Sequence, residues 1–389
     1  MVYLCTMSDV IFLDYNSTTP VDEKVMQRML PYFTKYFGNA ASKTHSYGWE
    51  ADAAVQRARE EVASFIRAEP REILFTSGST EAINIALRGA MLSYHSKGNH
   101  IVTSSTEHKA VLNTVEALVQ SGCTATLLNV DKEGMINPDD VSNAITSSTV
   151  IVSIMLANNE TGTLQRVSEV GRICKEKKVL FFCDATQAAG KVVIDVNEMQ
   201  CDLLCLSAHK MYGPKGIGAL YIRRRNPSVK LQPVFFGGGE TLRPGTLNVP
   251  GIAGMGAACM LCNELFWDET ARLSALRTRL EQLLEAEVPV HINGSMRNRI
   301  CNTSNIAFRG VDASRLIAAI PGLAFSTGSA CTSALPEPSH VLKAMGFSRD
   351  HVFSSVRFSL GRYTSEAEVD RAVNLIVSAC LKLKAETST

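Results

Sequence analysis

Two apolar runs in the middle of the chain each end in residues that could do chemistry. One run ends in the carboxylate of Asp184, and the next ends in Ser207, His209 and Lys210. Burial disfavours the charged form of an amine, and a neutral lysine amine is the nucleophile that forms a Schiff base. A Schiff-base lysine with a nearby aspartate is how proteins hold pyridoxal phosphate, whereas a buried Asp–Lys ion pair would carry no chemistry. These residues alone leave both interpretations open.

Two further stretches could hold a phosphate group. Residues 72–82 predict a strand that turns into a helix, and Ser79 and Thr80 fall at the first turn of that helix. Unpaired N–H groups at a helix N-terminus bind phosphate, although an ordinary Ser/Thr helix cap is the alternative. The chain has no G-x-x-x-x-G-K-[ST] sequence, so a nucleotide P-loop is not the explanation. The glycine-rich stretch 235–248, which includes Thr246, could approach a phosphate or simply connect two domains.

Predicted strands and helices alternate through the first half of the chain. This alternation predicts an α/β domain with a mainly parallel sheet. Ligands of such sheets bind beyond the carboxyl ends of the strands. The candidates that fall at predicted strand ends or just after them are Thr80, His108, Asn159, Asp184 and Lys210.

The last third of the chain adds two candidates of a different kind. Cys331 lies among Gly, Ser and Thr, which predicts an exposed loop and either a reactive thiol or a tolerated surface cysteine. Arg357 alternates with apolar Val356 and Phe358, so its side chain should face away from theirs. An inward guanidinium could clamp a carboxylate or form a structural ion pair.

Length and composition limit the class of protein. The 389 residues are 46% hydrophobic and 20% charged with a net charge of +1, which predicts a soluble globular protein of two domains rather than a nucleic-acid or membrane binder. No apolar stretch looks long enough for a membrane span, and the first residues lack the features of a signal peptide. Eleven cysteines, an odd number, suggest free thiols in a reducing compartment and predict the cytoplasm. The Cys259/Cys262 pair on an apolar helix is more typical of a core than of a metal site.

Taken together, four motifs closely resemble the NifS/IscS-type cysteine desulfurases, in particular their long-loop group. Those enzymes are fold-type I, pyridoxal-phosphate-dependent members of the class V aminotransferase family. The motifs are Thr-Glu-His-Lys-Ala at 106–110, Asp-Ala-Thr-Gln at 184–187, Ser-Ala-His-Lys-Met-Tyr-Gly-Pro-Lys-Gly at 207–216 and Ser-Thr-Gly-Ser-Ala-Cys-Thr-Ser at 326–333. The resemblance covers nearly the whole chain. It departs at Arg243-Pro-Gly-Thr246, where the usual pattern is Arg-Ser/Gly-Gly-Thr.

The resemblance implies a role for each matched residue. Lys210 would bind the cofactor covalently, Asp184 would pair with its pyridine nitrogen, Gln187 would contact its ring hydroxyl, and His108 would stack on the ring and assist proton transfers. The residues implied to hold the phosphate are Ser79, Thr80, Ser207, His209 and, from the second subunit, Thr246. Asn159 and Arg357 would orient the substrate, and Cys331 would be the nucleophile.

The implied reaction is removal of sulfur from L-cysteine, which gives L-alanine and a persulfide on Cys331. A homodimer would pass this sulfur to an acceptor such as an iron–sulfur cluster scaffold, without a metal of its own. The implied architecture is a large domain at 16–256, with a seven-stranded-type, mainly parallel sheet, and a smaller α+β domain at 1–15 and 257–389. A selenocysteine lyase and a catalytically silent sulfur-relay or scaffold subunit are the alternatives.

Overall fold

The computed structural model describes residues 10–225, 227–238, 242–327 and 338–387. Its strands are β1 (Ile11–Phe12), β2 (Ile73–Thr76), β3 (His100–Ser104), β4 (Thr124–Leu128), β5 (Thr149–Ser153), β6 (Leu180–Asp184), β7 (Leu203–Ser207), β8 (Gly218–Ile222), β9 (Val290–Asn293), β10 (Thr303–Phe308), β11 (Leu323–Ala324) and β12 (Ser355–Ser359). Its helices are α1 (Glu23–Met29), α2 (Pro31–Thr34), α3 (Ser46–Phe65), α4 (Ser79–Ser93), α5 (Lys109–Gln120), α6 (Pro138–Ala144), α7 (Val167–Glu176), α8 (Val249–Glu287), α9 (Ala313–Ala319), α10 (His340–Ala344), α11 (Arg349–Phe353) and α12 (Glu366–Thr387).

A seven-stranded sheet of order β2-β8-β7-β6-β5-β3-β4 forms the larger part of the fold. Only β8 runs antiparallel to its neighbours β2 and β7, so the predicted mainly parallel sheet is confirmed. Successive side chains of a strand point to opposite faces. Ile151 accordingly packs in one apolar core and Val152 in another, on the other face of the sheet. Burial on both faces explains the continuous apolar runs seen in the sequence.

A smaller antiparallel sheet of order β12-β10-β9 and the parallel pair β1–β11 lie around a separate apolar core. Helix α8 contributes to this separate core through Leu280 and to one core of the large sheet, the one that contains Val152, through Cys259. The predicted boundary at residue 256 falls within this helix, and the division into two domains stays a prediction. Among the described helices, α8 alone is long and apolar enough to cross a membrane. Within its apolar stretch of 18 residues, 61% is buried inside the protein.

Two details of the sequence prediction differ from the structure. The helical spacing of the sequence from Val21 to about Tyr36 predicts one helix. The structure divides this segment into α1 and α2, because Pro31 cannot continue the hydrogen bonding of α1 and instead begins α2. Lys210 does not extend the strand before it. Strand β7 ends at Ser207, and residues 208–210 form one turn of 3-10 helix that places Lys210 just beyond the carboxyl end of the strand.

Candidate active site

The carboxyl ends of β6 and β7 bring the predicted acid and amine together. The two strands pair in parallel with Asp184 opposite Cys205, so the 3-10 turn that carries Lys210 leaves the sheet beside Asp184. The Oδ1 atom of Asp184 accepts hydrogen bonds from the backbone N–H of Thr186 (2.9 Å) and the thiol of Cys205 (3.3 Å). This carboxylate is buried and held in one orientation by its own strand end.

Lys210 is the most strongly perturbed base of this edge. Its Nζ donates to the backbone carbonyls of Asn16 (2.6 Å) and Ser17 (2.7 Å). Burial, with added repulsion from the Arg357 and Lys191 cations, lowers the pKa of Lys210 to about 7 against the opposing effect of Asp14 and Asp184. At neutral pH a large fraction of this amine is therefore unprotonated and able to act as a nucleophile or base.

Gln187 and Lys210 donate hydrogen bonds to the same backbone carbonyl oxygen. The Nε2 of Gln187 donates to the carbonyl of Asn16 at 2.9 Å, the same atom that accepts from Lys210. The Oε1 atom of Gln187 is buried and has no hydrogen-bond partner among the described residues. A buried polar atom without a partner is costly, so this amide is suited to contact a further polar group.

His108 begins helix α5 at the same edge. Its Nδ1 accepts from the backbone N–H of Ala110 at 3.1 Å, which caps the helix. The side chain opens toward solvent, yet dehydration by the surrounding protein lowers the pKa of its imidazole. Asp184 acts in the opposite direction, and Lys210 adds to the lowering. The ring is thus electrostatically linked to both of the central residues.

The N-terminus of α4 forms the predicted phosphate region. The helix begins at Ser79, and Gly78 provides the cap with no side-chain hydrogen bond to the first turn. A Cβ atom placed on Gly78 would lie 3.8 Å from the Oγ of Ser207, so Ser207 borders this helix end. Thr80 is exposed there, as is Thr246 elsewhere on the chain. A helix N-terminus with hydroxyl side chains is the kind of place that binds anions, so phosphate binding here stays a prediction.

His209 lies between Lys210 and the N-terminal segment. Its Nδ1 is 3.2 Å from the Oγ1 of Thr18. Burial, with added repulsion from Lys210, lowers the pKa of His209 to about 4. The imidazole is therefore neutral at physiological pH and can contribute to the site as a hydrogen-bonding group rather than as a cation.

Arg357 reaches the site from the smaller sheet. As predicted, it faces away from Val356 and Phe358, which are buried in the apolar core of that sheet. Its guanidinium donates to Asp14 (2.6 Å), to the Oγ of Ser17 (2.9 Å) and to the backbone carbonyl of Asn159 (3.0 Å). Both interpretations of its sequence pattern survive, since the ion pair with Asp14 exists and lies at the same edge as Lys210.

Residues 14–17 are the part of the site that the sequence prediction missed. The carbonyl of Asn16 accepts from Lys210 and Gln187, while its Nδ2 donates to the carbonyl of Asn159 at 3.2 Å and to Thr303. The sequence shows only a polar turn after an apolar run. The turn reaches Lys210 and Gln187 because it follows strand β1, which pairs with β11 although the two strands are about three hundred residues apart in the sequence.

Two of the sequence predictions have no structural counterpart. Cys331 lies outside the described residues, so its role stays a prediction. The implied partner contact of Thr246 involves a second subunit and is likewise untested. Within the ranges that the structure covers, no group of three or more His, Cys, Asp or Glu side chains could hold a metal ion.

Known proteins of similar sequence and fold identify the family to which this chain belongs. Residues 11–372 match the family described as aminotransferase class V, and the chain belongs to that family. Cysteine desulfurase IscS of Anaeromyxobacter sp. strain Fw109-5 is 50% identical over 96% of this chain and 93% of its own length. By this similarity the protein is a member of the cysteine desulfurase group within the class V family.

Solved structures agree with that placement. A structure described as a NifS-like protein matches with a TM-score of 0.90 and 34% identity, covering 96% of this chain and all of its own. A structure described as SspA in complex with cysteine matches with a TM-score of 0.80 and 36% identity, over 91% of this chain and 99% of its own. The predicted fold-type I architecture is confirmed by these matches.

Proposed function

We propose that this protein uses pyridoxal phosphate to remove sulfur from L-cysteine, with Lys210 as the cofactor lysine and Cys331 as the sulfur-accepting nucleophile. One observation carries the assignment within the described residues. An amine with a pKa of about 7, Lys210, stands at the carboxyl edge of the sheet beside the buried carboxylate of Asp184. A lysine and an aspartate so placed are what proteins use to bind this cofactor.

The residues present fit pyridoxal phosphate. Asp184 can pair with a protonated ring nitrogen, and the buried amide oxygen of Gln187 that lacks a partner marks where a polar ring substituent would find one. The N-terminus of α4 and the neighbouring Ser207 suit its phosphate. The remaining residues proposed to hold or contact the cofactor are Ser79, Thr80, His108, Asn159, His209 and Thr246.

The chain's own side chains then divide the work of the reaction. When bound, the cofactor supplies an aldehyde that captures the substrate amine and a ring that withdraws electrons from its α-carbon. Arg357, with Asn159, orients the substrate by binding its carboxylate. Lys210, through the neutral form that its lowered pKa makes available, accepts the α-proton, and the nearby imidazole of His108 holds or returns a proton.

Sulfur transfer is the step that belongs to Cys331. Its thiolate attacks the sulfur of the substrate, a new S–S bond forms, and the C–S bond breaks. The two electrons of that C–S bond remain with the carbon, which is protonated and leaves as alanine. The proton and sulfur balance is complete, because one cysteine and one thiol give one alanine and one persulfide. No external oxidant or reductant is required.

Delivery of the sulfur extends the same proposal. The relatives named IscS support an acceptor such as an iron–sulfur cluster scaffold, on which the Cys331 persulfide would meet a forming cluster. Exposure of Thr246 on the single chain supports its predicted use across a homodimer. The abundance of free thiols supports a cytoplasmic location.

Single-turnover mass spectrometry with L-cysteine and no reductant tests the proposal. The wild-type protein should gain one sulfur on the peptide that contains Cys331 and release one equivalent of alanine. Cys331→Ala should lose both, with alanine formation reduced at least about a hundredfold. Cys123→Ala, which removes a half-buried thiol away from the site, serves as the matched control and should behave as wild type. Alanine formation by Cys331→Ala at the full rate would contradict the nucleophile assignment.

A further inference from the structure

The residue two positions after Lys210 holds a strained backbone conformation. Tyr212 has a φ of 62°, in the left-handed region that side chains other than glycine rarely adopt. Such a conformation is energetically costly and persists only where surrounding contacts enforce it. Strain this close to a reactive lysine raises the question of which contacts hold it.

Arg362 supplies those contacts from the far end of the sequence. Its guanidinium lies over the ring of Tyr212, 4.0 Å from the ring centroid. Its backbone N–H donates to the hydroxyl of Tyr212 at 2.5 Å. Arg362 therefore holds Tyr212 by two contacts, a cation–π contact with the face of the ring and a hydrogen bond to the hydroxyl.

Two carboxylates in turn fix Arg362. Its Nη1 donates to Asp22 at 2.8 Å and its Nε donates to Glu269 at 2.9 Å. All three side chains are nearly buried, with 11–12% exposure, so water screens these pairs little. Asp22 caps helix α1 and Glu269 lies on α8, so the guanidinium is held between two rigid elements. We call Arg362, Tyr212, Asp22 and Glu269 the arginine clamp.

A short chain of hydrogen bonds connects the clamp to the reactive amine. The backbone N–H of Tyr212 donates to the Oγ1 of Thr19 at 2.8 Å, and its carbonyl accepts from the N–H of Asp22. The N–H of Thr19 donates to the carbonyl of His209 at 2.9 Å. The turn around Lys210 is thus bonded on both sides to the segment 16–22, whose first carbonyls receive the Lys210 amine.

We infer that Arg362 is a positioning residue for Lys210: the clamp locks the turn after Lys210 and so fixes the place and the dehydration of its amine. The guanidinium need not touch substrate or cofactor to do so. A lysine cannot replace it, because an ammonium offers neither the planar face that stacks on Tyr212 nor the geometry that joins two carboxylates. This inference rests on the proposed role of Lys210 and adds a residue about which the motif resemblance says nothing.

The test uses full-length Arg362→Lys and Arg362→Met with the cofactor first removed. Each apoenzyme is titrated with pyridoxal phosphate, reduced with borohydride, and analysed for modified Lys210. We expect the dissociation constant to rise at least tenfold in Arg362→Met and by an intermediate factor in Arg362→Lys. In the same apoenzymes, competitive acetylation across pH should show the midpoint of Lys210 shifted upward by at least one pH unit, because a loosened turn admits water.

Arg279→Met is the matched control. It removes an arginine from the exposed surface of α8, where Arg279 pairs with Asp370 at 2.7 Å, and it should leave both readouts at wild-type values. A purely structural role for Arg362 would lower the thermal midpoint of unfolding without moving the acetylation midpoint of Lys210. Folded Arg362 variants with wild-type cofactor affinity and acetylation midpoint would overturn the inference.

A milder variant decides the question if both Arg362 variants fail to fold. Glu269→Gln keeps the shape of the clamp and weakens one ion pair, so a roughly threefold loss of cofactor affinity is expected; unchanged affinity would then overturn the inference. The wild-type protein separates this inference from the proposed function. If borohydride leaves wild-type Lys210 unmodified, the assignment of the cofactor lysine fails, whereas modified wild type with unaffected variants contradicts only the role of Arg362.

Discussion

Dehydration makes an amine more reactive at the edge of the large sheet and makes thiols less reactive in the interior of the same sheet. At the edge, dehydration lowers the pKa of Lys210 to about 7 and makes a reactive neutral amine available. In the interior, dehydration raises the pKa of the Cys183 and Cys205 thiols and keeps them protonated. Burial disfavours whichever form is charged, and that form is the unreactive one for an amine but the reactive one for a thiol.

This contrast agrees with the proposal that the nucleophilic thiol is a cysteine outside the buried interior. Apart from the half-buried Cys123, the free cysteines of the described chain are buried, and burial makes them poor nucleophiles. A thiol that must ionise and then deliver sulfur to another protein has to be reachable and less dehydrated. The Gly, Ser and Thr neighbours of Cys331 in the sequence agree with that requirement.

The largest effect should come from removing the edge amine. Lys210→Ala should lose borohydride-stable attachment of the cofactor and at least about a thousandfold in alanine formation, because both the attachment point and the base are gone. Steady-state kinetics and intact-mass analysis measure the two losses. Lys175→Ala, on the exposed side of α7, is the control. Retained covalent cofactor in Lys210→Ala would show that another lysine serves.

A smaller effect tests the dehydration itself. At pH 8 the neutral fraction of an amine with a pKa of about 7 exceeds that of an ordinary lysine by roughly 300-fold. Trace acetic anhydride should therefore acetylate Lys210 of the apoenzyme with a midpoint near pH 7, while surface lysines titrate near their ordinary value of 10.5. A Lys210 midpoint near 10 would remove the basis of the comparison between edge and interior.

The smallest effect concerns a buried acid next to His108. Burial raises the pKa of Glu107 well above its ordinary value of 4.5, with the Met155 N–H opposing and Asp184 adding to the rise. Between pH 4.5 and the folded pKa, the unfolded chain loses a proton that the folded chain keeps, so stability falls as pH rises. Glu107→Gln stays neutral and should escape this fall.

Chemical unfolding of the apoenzyme at pH 5 and pH 8 measures that difference. Glu107→Gln should gain about 1–2 kcal/mol relative to wild type between the two pH values, because it retains an acceptor for the Met155 N–H without carrying charge. Glu116→Gln, an exposed change on α5, should show no such gain. Equal pH dependence in wild type and Glu107→Gln would place a compensating group beside Glu107.

Much of the fold could be predicted from the sequence because its signals are local. Apolar runs bounded by polar residues indicated the strands. The sequence of residues 313–319 likewise predicts a short helix, and α9 has those bounds. The ends of those strands then predicted which edge would carry the site. The break between α1 and α2 was not predicted, although Pro31 indicates it. The helical spacing of the residues on both sides of this proline suggested one continuous helix.

The sequence by itself determined the chemical identities at the site, namely an amine, a carboxylate and an imidazole at strand ends and an arginine opposite an apolar face, and it supplied the proposed nucleophile, a cysteine among small residues. Only the tertiary structure decided their surroundings. The role of Asn16 and the arginine clamp both depend on contacts between residues more than a hundred positions apart. Local pattern carries no information about such contacts, and they determine how far the Lys210 amine is dehydrated and how basic it is.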